Sequence, residues 1–482
     1  MYALKFIKKI VRRFVNNKLI FISTIIISEN RTTMSNNQNI EIFDSRLNDK
    51  QLLVVTNELR SSTPLTINVC SPKFYTVCHM AHIRKYMSLD IIRRVLEDYF
   101  HIPTILTMNI LDLNGRIIQA TKDTSEKNNL SNNDFLSFSL YWEKLFFETM
   151  TELNVQPPNI VNKTSDYIQE IFSFIEQIEN KGLTFEHEGS VYFYGSKYLN
   201  EDNYTPDPNN KLNFIFLEKP ADNEPQWKSK WGMIRPRYHK VDDGPVNIIF
   251  ESQSEEYRIN SSLNIPIFMN VGPVMINGCK MTRSKNNFVT ADEALQYYNA
   301  NEIRMLFLLH EWNKPVEYND VSMANAKNYM TYFINFFIQI ENVIIASNEN
   351  TKYTDHEYDL QMLLSQTKFL VHKHFCDNFN TSKVITELYT LGDKAYLYTK
   401  LNKKKCPLVL TSIFNYIKHI LEVLGLTFNE RSSFGAEMLI KTHMELQSVI
   451  PNIPKEYRSS LFKIADKIRD KYLPALNVSV EN

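Results

Sequence analysis

Two short groups of residues have the types and the spacing for phosphate chemistry. His79 and His82 are three positions apart, and imidazoles placed at the start of a helix can donate hydrogen bonds to phosphate oxygens. Farther along the chain is a second group with two cations, made of Lys280, Met281, Thr282, Arg283 and Ser284. Cations on a short loop can stabilise the charge that develops on a leaving phosphate group. Taken alone, the first group is also compatible with satisfied loop histidines and the second with a basic surface loop.

A strand, a loop and a helix must position the two histidines. Residues 65–70 (LTINVC) alternate like a buried strand, which Ser71 and Pro72 end. The following pattern predicts an amphipathic helix with Ser88 or Asp90 near its N-cap, and residues 103–109 predict a second strand. This order is typical of a parallel α/β sheet, in which nucleotides bind beyond the carboxyl ends of the strands.

The rest of the chain divides into a mixed region and a helical region. Helical patterns cover 135–153 and 165–180, a short strand is predicted at 189–193, and 196–225 has the composition of a surface loop. Strands near 250 and 270 are expected to return to the sheet. From residue 291 onward the pattern is almost wholly helical, in about six segments.

Composition and charge limit the functional classes. The chain has 482 residues, is 43% hydrophobic and 22% charged, and has a formal net charge of +0. This is globular composition with room for two or three domains, and any contact with nucleic acid must rest on local basic patches. The five cysteines lack C-x-x-C spacing, which favours a reducing compartment over a disulfide framework.

The first 33 residues have a separate character. Six cations precede the first acidic residue, Glu29, and apolar residues recur at helical spacing opposite them. This pattern predicts a mitochondrial presequence and therefore a location in the mitochondrial matrix. Two alternatives stay open: translation from Met34, which would favour the cytoplasm, and a secretory signal or anchor built on the apolar run 19–27, which is too short to span a bilayer.

In order along the chain, segment after segment resembles the cysteinyl-tRNA synthetases, a family of class I aminoacyl-tRNA synthetases. Residues 69–97 resemble the family stretch CGPTVYDxxHMGHARxYxxFDIIRR, and residues 280–284 resemble its KMSKS loop. Residues 109–112 match the start of NITDIDDKII, residues 146–193 resemble the family's insertion, and residues 231–239 resemble WGxGRPGWH. The likeness extends from about residue 50 to the C-terminus.

The resemblance implies both a fold and an activity. The fold is α/β: a Rossmann-like class I synthetase catalytic domain with an insertion, followed by an all-α C-terminal domain for tRNA. The activity is activation of cysteine by ATP with magnesium, and transfer of cysteine to tRNA(Cys). By motif position, His79, Met80, Ala81 and His82 together with residues 280–284 bind ATP, and His79, His82, Lys280 and Arg283 are catalytic. The implied substrate pocket consists of Cys70, Tyr75, Asn109, Asp112, Trp231 and His239.

The metal site and two glycine positions depart from the family. The family holds zinc with two cysteines, a histidine and a glutamate, but here Asp242 stands near the second position and no histidine precedes Glu255 and Glu256. Cys70 and Glu256 would give at most a weak zinc site. Ala81 replaces a glycine of the HIGH motif, and the glycine-rich FDIHGGG turn has no counterpart.

These observations predict four parts and two alternative functions. The parts are a presequence (1–33), a linker and N-terminal strand region (34–60), a catalytic domain (61–300, with the insertion at about 121–230) and a helical tRNA-binding domain (301–482). The first hypothesis is a mitochondrial cysteine–tRNA ligase that is monomeric and does not bind membranes. The alternative is a catalytically degenerate relative that acts as an RNA- or protein-binding factor.

Overall fold

A computed structural model describes residues 39–53, 64–127, 135–198, 206–210, 213–221, 224–237, 246–250, 267–282, 287–346, 353–401, 405–428, 461–462 and 464–472. The expected presequence lies outside these residues. The described chain starts with two antiparallel strands, β1 (Ile40–Asp44) and β2 (Asp49–Leu53). This hairpin lies within the segment predicted to be a linker and N-terminal strand region, and its residues Ile40, Ile42 and Leu53 are buried. Burial of these apolar side chains stabilises the hairpin, although the segment around it is polar.

A parallel sheet forms the centre of the catalytic region. Its strands, in chain order, are β3 (Leu65–Cys70), β4 (Thr104–Ile110), β5 (Ile160–Lys163), β11 (Ile248–Phe250) and β12 (Ile267–Met269). Their spatial order is β12-β11-β3-β4-β5, and every pairing is parallel. The order reverses between β3 and β11, so the crevice at their carboxyl ends is the topological switch point. The Rossmann-like fold expected from the sequence is confirmed.

Helices cross over between these strands. They are α1 (Met80–Arg94), α2 (Gly115–Lys127) and α3 (Phe135–Glu152). The prediction that the first helix begins near Ser88 was wrong, because α1 begins at Met80 with His79 as its N-cap. No side chain makes a capping hydrogen bond there, so the usual sequence signal for a helix start is missing. Since α3 and β5 belong to the parallel sheet layer, the inserted unit starts later than the expected residue 121.

The insertion is a small antiparallel sheet with a helix packed on it. Its elements are α4 (Ile168–Asn180), β6 (Thr184–His187), β7 (Ser190–Phe193), α5 (Gly195–Tyr198), β8 (Phe214–Glu218), β9 (Trp227–Ser229) and β10 (Gly232–Pro236). The strand order is β6-β7-β8-β10-β9. Ile171, Ile175 and Phe216 are fully or almost fully buried in a core of its own. Residues 214–218, expected to be loop, form the central strand of this sheet.

A tight hairpin follows the parallel sheet. Its strands are β13 (Val274–Ile276) and β14 (Cys279–Lys280). The turn between them is Asn277-Gly278, and both residues have positive φ, 52° and 72°. Asn-Gly is the pair preferred in such two-residue turns, because this backbone conformation is difficult for most other residues. The Asn-Gly turn therefore helps to fix the position of Lys280, which ends β14.

The remainder is helical, as expected. Its elements are α6 (Ala291–Tyr297), α7 (Ala300–Leu308), a two-residue strand β15 (Val316–Glu317), α8 (Asp320–Ala346), α9 (Asp355–Cys376), α10 (Thr381–Leu401) and α11 (Pro407–Val423). Thr290 and Asn299 each form a capping box, and these fix the starts of α6 and α7. No helix in the described residues is both long enough and apolar enough to cross a bilayer.

Candidate active site

A cleft of about 900 Å³ opens at the carboxyl edge of the parallel sheet. Cys70 at the end of β3, Asn109 near the end of β4 and Asn270 just after β12 all lie on its wall. Phe214 of β8 and Arg237 just after β10 line it too, so the insertion contributes one side. The cleft therefore lies where a doubly wound sheet binds nucleotides.

The two histidines lie side by side at the N-terminus of α1. Their ring centroids are 3.8 Å apart and the rings are nearly parallel, at 19°. The carbonyl of His79 accepts hydrogen bonds from the backbone N–H groups of His82 and Ile83, which forms the first turn of the helix. Both rings line the cleft. An anion placed there would meet two imidazoles and the positive end of the helix dipole.

Backbone hydrogen bonds connect the two histidines to the segment that follows the lysine loop, which is residues 280–284. The N–H of Met80 donates to the carbonyl of Val289 at 3.0 Å, and the N–H of Ala291 donates to that of Cys78 at 2.9 Å. Residues 79 and 290 thus pair as an isolated antiparallel bridge. Residues just after the lysine loop are in this way fixed to the start of α1. The two motifs, 200 residues apart in sequence, form one frame.

Lys280 itself lies on the cleft wall at the end of β14. Met281 is buried, and its N–H donates to the carbonyl of Val274 at 2.9 Å. The Asn287 side chain accepts from the Thr282 N–H at 2.9 Å and donates to the Lys280 carbonyl at 3.4 Å. The Asn287 side chain thereby connects residue 287 to the backbone of residues 280 and 282. The remaining predicted ATP-binding residues, Arg283 and Ser284, lie outside the described residues.

Ala81 occupies the second position of α1 and lines the cleft. A helical backbone suits alanine better than glycine, because glycine loses more conformational entropy there. The replacement therefore costs the fold nothing, and its only effect on a ligand would come from one methyl group on the cleft wall.

Cys70 stands among hydrogen-bond donors. Its carbonyl accepts from the ammonium of Lys85 at 2.9 Å and from the hydroxyl of Tyr86 at 2.8 Å. Its side chain packs against Ile249. Cys78, the next thiol in the sequence, is not on the described wall of the cleft. Burial raises the pKa of the Cys78 thiol to about 12, so this group stays protonated at neutral pH.

The predicted substrate-pocket residues separate into two groups. Cys70 and Asn109 line the cleft, whereas Tyr75, Asp112 and Trp231 are not on its described wall. His239 lies outside the described residues. The resemblance to the family grouped these residues into one set, and the structure brings two of them, Cys70 and Asn109, together on this wall.

Asp112 and Trp231 have structural partners instead. The Asp112 carboxylate accepts from the backbone N–H of Ser165 at 3.1 Å and from its hydroxyl at 2.5 Å, so it shapes the segment that follows β5. Burial raises the pKa of Asp112, and the hydrogen bonds from Ser165 oppose that shift. The Trp231 indole N–H donates to Glu179 at 3.1 Å, and its ring packs against Phe172 in the insertion core.

The described wall of the cleft is cationic. It carries several cationic side chains and two histidines and, among the described residues, no carboxylate; the cations are Lys73, Arg84, Lys85, Arg237 and Lys280. Such a wall suits a polyanionic ligand.

The resemblance implies a zinc site beside Cys70 at this wall. Among the described residues, no three His, Cys, Asp or Glu side chains come together to hold a metal ion. The other expected ligand, Glu256, lies outside the described residues. Between residues 238 and 266 the sequence has no cysteine, and its one histidine is His239. Zinc in proteins is held by thiolate, imidazole and carboxylate ligands, and the family's full set of two cysteines, a histidine and a glutamate is not present in these segments of the sequence.

Several wall residues were not identified from the sequence. Lys85 follows the second histidine by three positions, but no pattern showed that its side chain turns inward. Asn114, Arg237 and the segment 270–274 also line the cleft. Gly272 has a clear reason to be glycine, since a Cβ atom there would lie 1.9 Å from the carbonyl oxygen of Lys314. That close approach of two backbones can be seen only in three dimensions.

Buried arginines join the catalytic region to the helices behind it. Arg304 of α7 donates to Asp90 of α1 at 2.6 Å and to the Asn154 carbonyl at 2.8 Å, and it is 1% exposed. Arg84 donates to the carbonyls of Phe307 and Glu311 at 3.3 and 2.8 Å. Burial lowers the pKa of Arg84 to about 9, which still leaves it charged at neutral pH. These contacts hold α1, and with it the histidines, in place.

Comparisons with known proteins agree with this geometry. A sequence model described as "tRNA synthetases class I (C) catalytic domain" matches residues 57–242 and 251–328, more than half of the chain. The cytoplasmic cysteine–tRNA ligase of Dictyostelium discoideum is 28% identical over 92% of this chain and 76% of its own length. The cysteine–tRNA ligase of Encephalitozoon cuniculi is 28% identical over 79% and 85%. Methionyl-tRNA synthetase of Mycobacterium tuberculosis, in complex with methionyl-adenylate, has a similar fold, with TM-score 0.53, 11% identity and coverage of 83% and 96%.

Proposed function

Because the chain belongs to the class I (C) tRNA synthetases and is an aminoacyl-tRNA ligase, we propose that its substrates are cysteine, ATP and tRNA(Cys) and that it serves mitochondrial translation. The observation that carries the proposal is the frame that joins His79 and His82 to the Lys280 hairpin across one cleft. The relatives that are cysteine–tRNA ligases support the choice of amino acid.

The cleft suits the first step of the reaction. The carboxylate of the amino acid attacks the α-phosphorus of ATP and forms an oxygen–phosphorus bond, while the bond to the bridging oxygen breaks and pyrophosphate leaves with the electron pair. Negative charge thereby grows on the pyrophosphate, where fixed cations and imidazoles stabilise it. Lys280, His79 and His82 are on the wall for that role. Magnesium would be held chiefly by the phosphate oxygens, as is usual for nucleotide sites.

Frame and loop have different tasks in that step. The histidines are fixed by the first turn of α1 and by the bridge to residue 290. Lys280 is at the end of a two-residue strand and is exposed, so its long side chain can follow the charge as it moves. Fixed donors and one adaptable cation together would stabilise the transition state more than the bound substrates.

The location in mitochondria rests on the first 33 residues alone. Their cations, apolar spacing and lack of acids before Glu29 are what mitochondrial import requires. Imaging of a tagged full-length chain, beside one that starts at Met34, tests this. Mitochondrial signal that disappears in the shorter chain is expected, and identical cytoplasmic signal from both would contradict it.

Exchange of labelled pyrophosphate into ATP tests the activity. The full chain is incubated with ATP, magnesium and one amino acid at a time, and cysteine is expected to support exchange well above any other. Exchange with a different amino acid would change the assigned substrate. Absence of exchange with every amino acid would favour the alternative, a catalytically degenerate RNA- or protein-binding factor.

A further inference from the structure

A buried lysine lies at the end of the cleft where β3 stops. Lys85 is 9% exposed, although lysines are almost always on protein surfaces. Its ammonium donates to the Cys70 carbonyl at 2.9 Å and lies 5.1 Å from the centroid of the Tyr86 ring. The same side chain is part of the cleft wall. A charge that is costly to bury is therefore held facing a ligand site.

This charge affects what else can bind beside Cys70. Cys70 is the one thiol on the described wall, and the Lys85 ammonium lies 2.9 Å from the carbonyl oxygen of the same residue, so a metal ion bound to the sulfur would share this end of the cleft with a cation. Like charges at short range in a partly desolvated place repel strongly. Lys85 and the cysteine-poor sequence 238–266 thus both oppose a metal at this end of the cleft.

We propose that Lys85 is the residue that selects the amino-acid side chain, because its ammonium is the positive partner of the substrate's sulfur where a metal is absent. The inference rests on the proposed function, since it names how that same site selects cysteine. Lys85 makes and breaks no bond in the reaction; it holds the sulfur by a charge-assisted hydrogen bond.

Chemistry explains why a cation here would favour cysteine. A thiol is far more acidic than a hydroxyl, so a cysteine sulfur carries or shares negative charge with an ammonium more readily than a serine oxygen does. The isostere 2-aminobutyrate has no polar atom at that position and would leave the buried ammonium without the contact. Differences in size alone separate such close analogues by only about 10- to 200-fold.

A purely structural role for Lys85 predicts a different outcome. If Lys85 only anchored the Cys70 carbonyl, its removal would leave Tyr86 as a donor to the same oxygen, and every substrate would be affected alike. A role in selection predicts an effect that depends on the side chain of the amino acid. The test therefore compares amino acids rather than rates alone.

Pyrophosphate exchange by full-length Lys85→Met, Lys85→Arg and Lys73→Met, with L-cysteine, L-serine and L-2-aminobutyrate, makes this comparison. Lys73 lines the same cleft but is exposed, so Lys73→Met is the matched control for the loss of one charge. Lys85→Met should lower kcat/KM for cysteine by about 10- to 100-fold, mainly through KM, and leave 2-aminobutyrate within about threefold. Lys85→Arg should keep most of the preference, and Lys73→Met should keep the ratio between amino acids. Equal losses with all three amino acids in Lys85→Met would overturn the inference.

Two further measurements do not depend on activity. The purified full chain should contain no stoichiometric zinc, and one equivalent that is lost in Cys70→Ser would overturn the inference. If the wild-type chain supports exchange with no amino acid, the proposed function fails, and calorimetric titration of L-cysteine decides the role of Lys85. Binding at least tenfold weaker in Lys85→Met supports it, whereas equal binding, or no binding to the wild type, overturns it.

Discussion

The two ends of the cleft are built in different ways. At the phosphate end, His79, His82 and Lys280 are held by a helix start, a backbone bridge and an Asn-Gly hairpin. At the other end, the Cys70 carbonyl accepts hydrogen bonds from the Lys85 ammonium and the Tyr86 hydroxyl. The first end depends on backbone geometry, and the second depends on the identity of individual side chains.

This difference explains which parts of the family pattern the chain keeps. Backbone frames tolerate changes in side chains such as the alanine at position 81, because the helix start and the bridge do not depend on them. A metal site does not tolerate such changes, since each lost ligand removes a bond. We infer that phosphate chemistry and side-chain selection are separable in this protein, and the substitutions below test that separation.

Lys280→Ala should have the largest effect on activity. Loss of one group that stabilises transition-state charge typically lowers kcat by about 100- to 1,000-fold. The ratio of cysteine to 2-aminobutyrate should remain unchanged, because Lys280 acts at the phosphate end. Pyrophosphate exchange measures both quantities. A changed ratio would show that the two ends are coupled.

Arg304→Met should affect both ends equally through stability. It removes one of the ion-pair partners of the Asp90 carboxylate, which is buried at 3% exposure, and leaves it paired with Arg94 at 2.9 Å. Breaking a buried ion pair costs about 3–5 kcal/mol, measured as the free energy of unfolding in urea. Arg116→Met, at an exposed arginine of α2, is the control and should stay within about 0.5 kcal/mol. Equal free energies of unfolding for the two variants would show that Arg304 does not stabilise the contact between α1 and α7.

Cys70→Ser should change exchange with cysteine by less than about threefold, because the Cys70 carbonyl keeps its two donors and no metal is lost. A small loss of stability is expected, since the side chain packs against Ile249 and serine buries a hydroxyl in its place. Initial rates over a range of cysteine concentrations test this. A loss of about 100-fold or more in the exchange rate with cysteine would indicate that Cys70 binds a metal ion.

Ala81→Gly should have the smallest effect. Glycine in the first turn of α1 would lower stability by up to about 1 kcal/mol, because it costs more conformational entropy than alanine. The KM for ATP should stay within about twofold. A KM at least tenfold lower would mean that the alanine methyl obstructs the nucleotide, and the phosphate end would then be less intact than its geometry indicates.

Prediction from the sequence succeeded where local patterns coincide with topology. The strand LTINVC followed by two histidines placed the site at the carboxyl edge of a parallel sheet, and the structure has β3 and α1 meeting there. The start of α1 was predicted too late because His79 makes no side-chain cap. The strand 214–218 was missed since loop-like residues flank it on one side.

The wall of the cleft was harder to predict for a physical reason. Lys85 has the sequence context of a surface helix residue, and only the packing of α1 on β3 turns it inward to the Cys70 carbonyl. Likewise, Gly272 is needed because Lys314, 42 positions later in the sequence, passes against it. The roles of such residues depend on burial depth and on long-range contacts. Neither produces a periodic pattern in the sequence.

Charging of tRNA(Cys) with labelled cysteine, in excess magnesium and a zinc-selective chelator, tests the central claim most directly. The claim is that an intact phosphate end works with a side-chain end that uses a lysine in place of a metal. The account predicts that the full chain charges tRNA(Cys) at the same rate with and without the chelator, and that Lys280→Ala charges it at least about 100-fold more slowly. Charging that stops in chelator and returns with added zinc would contradict it.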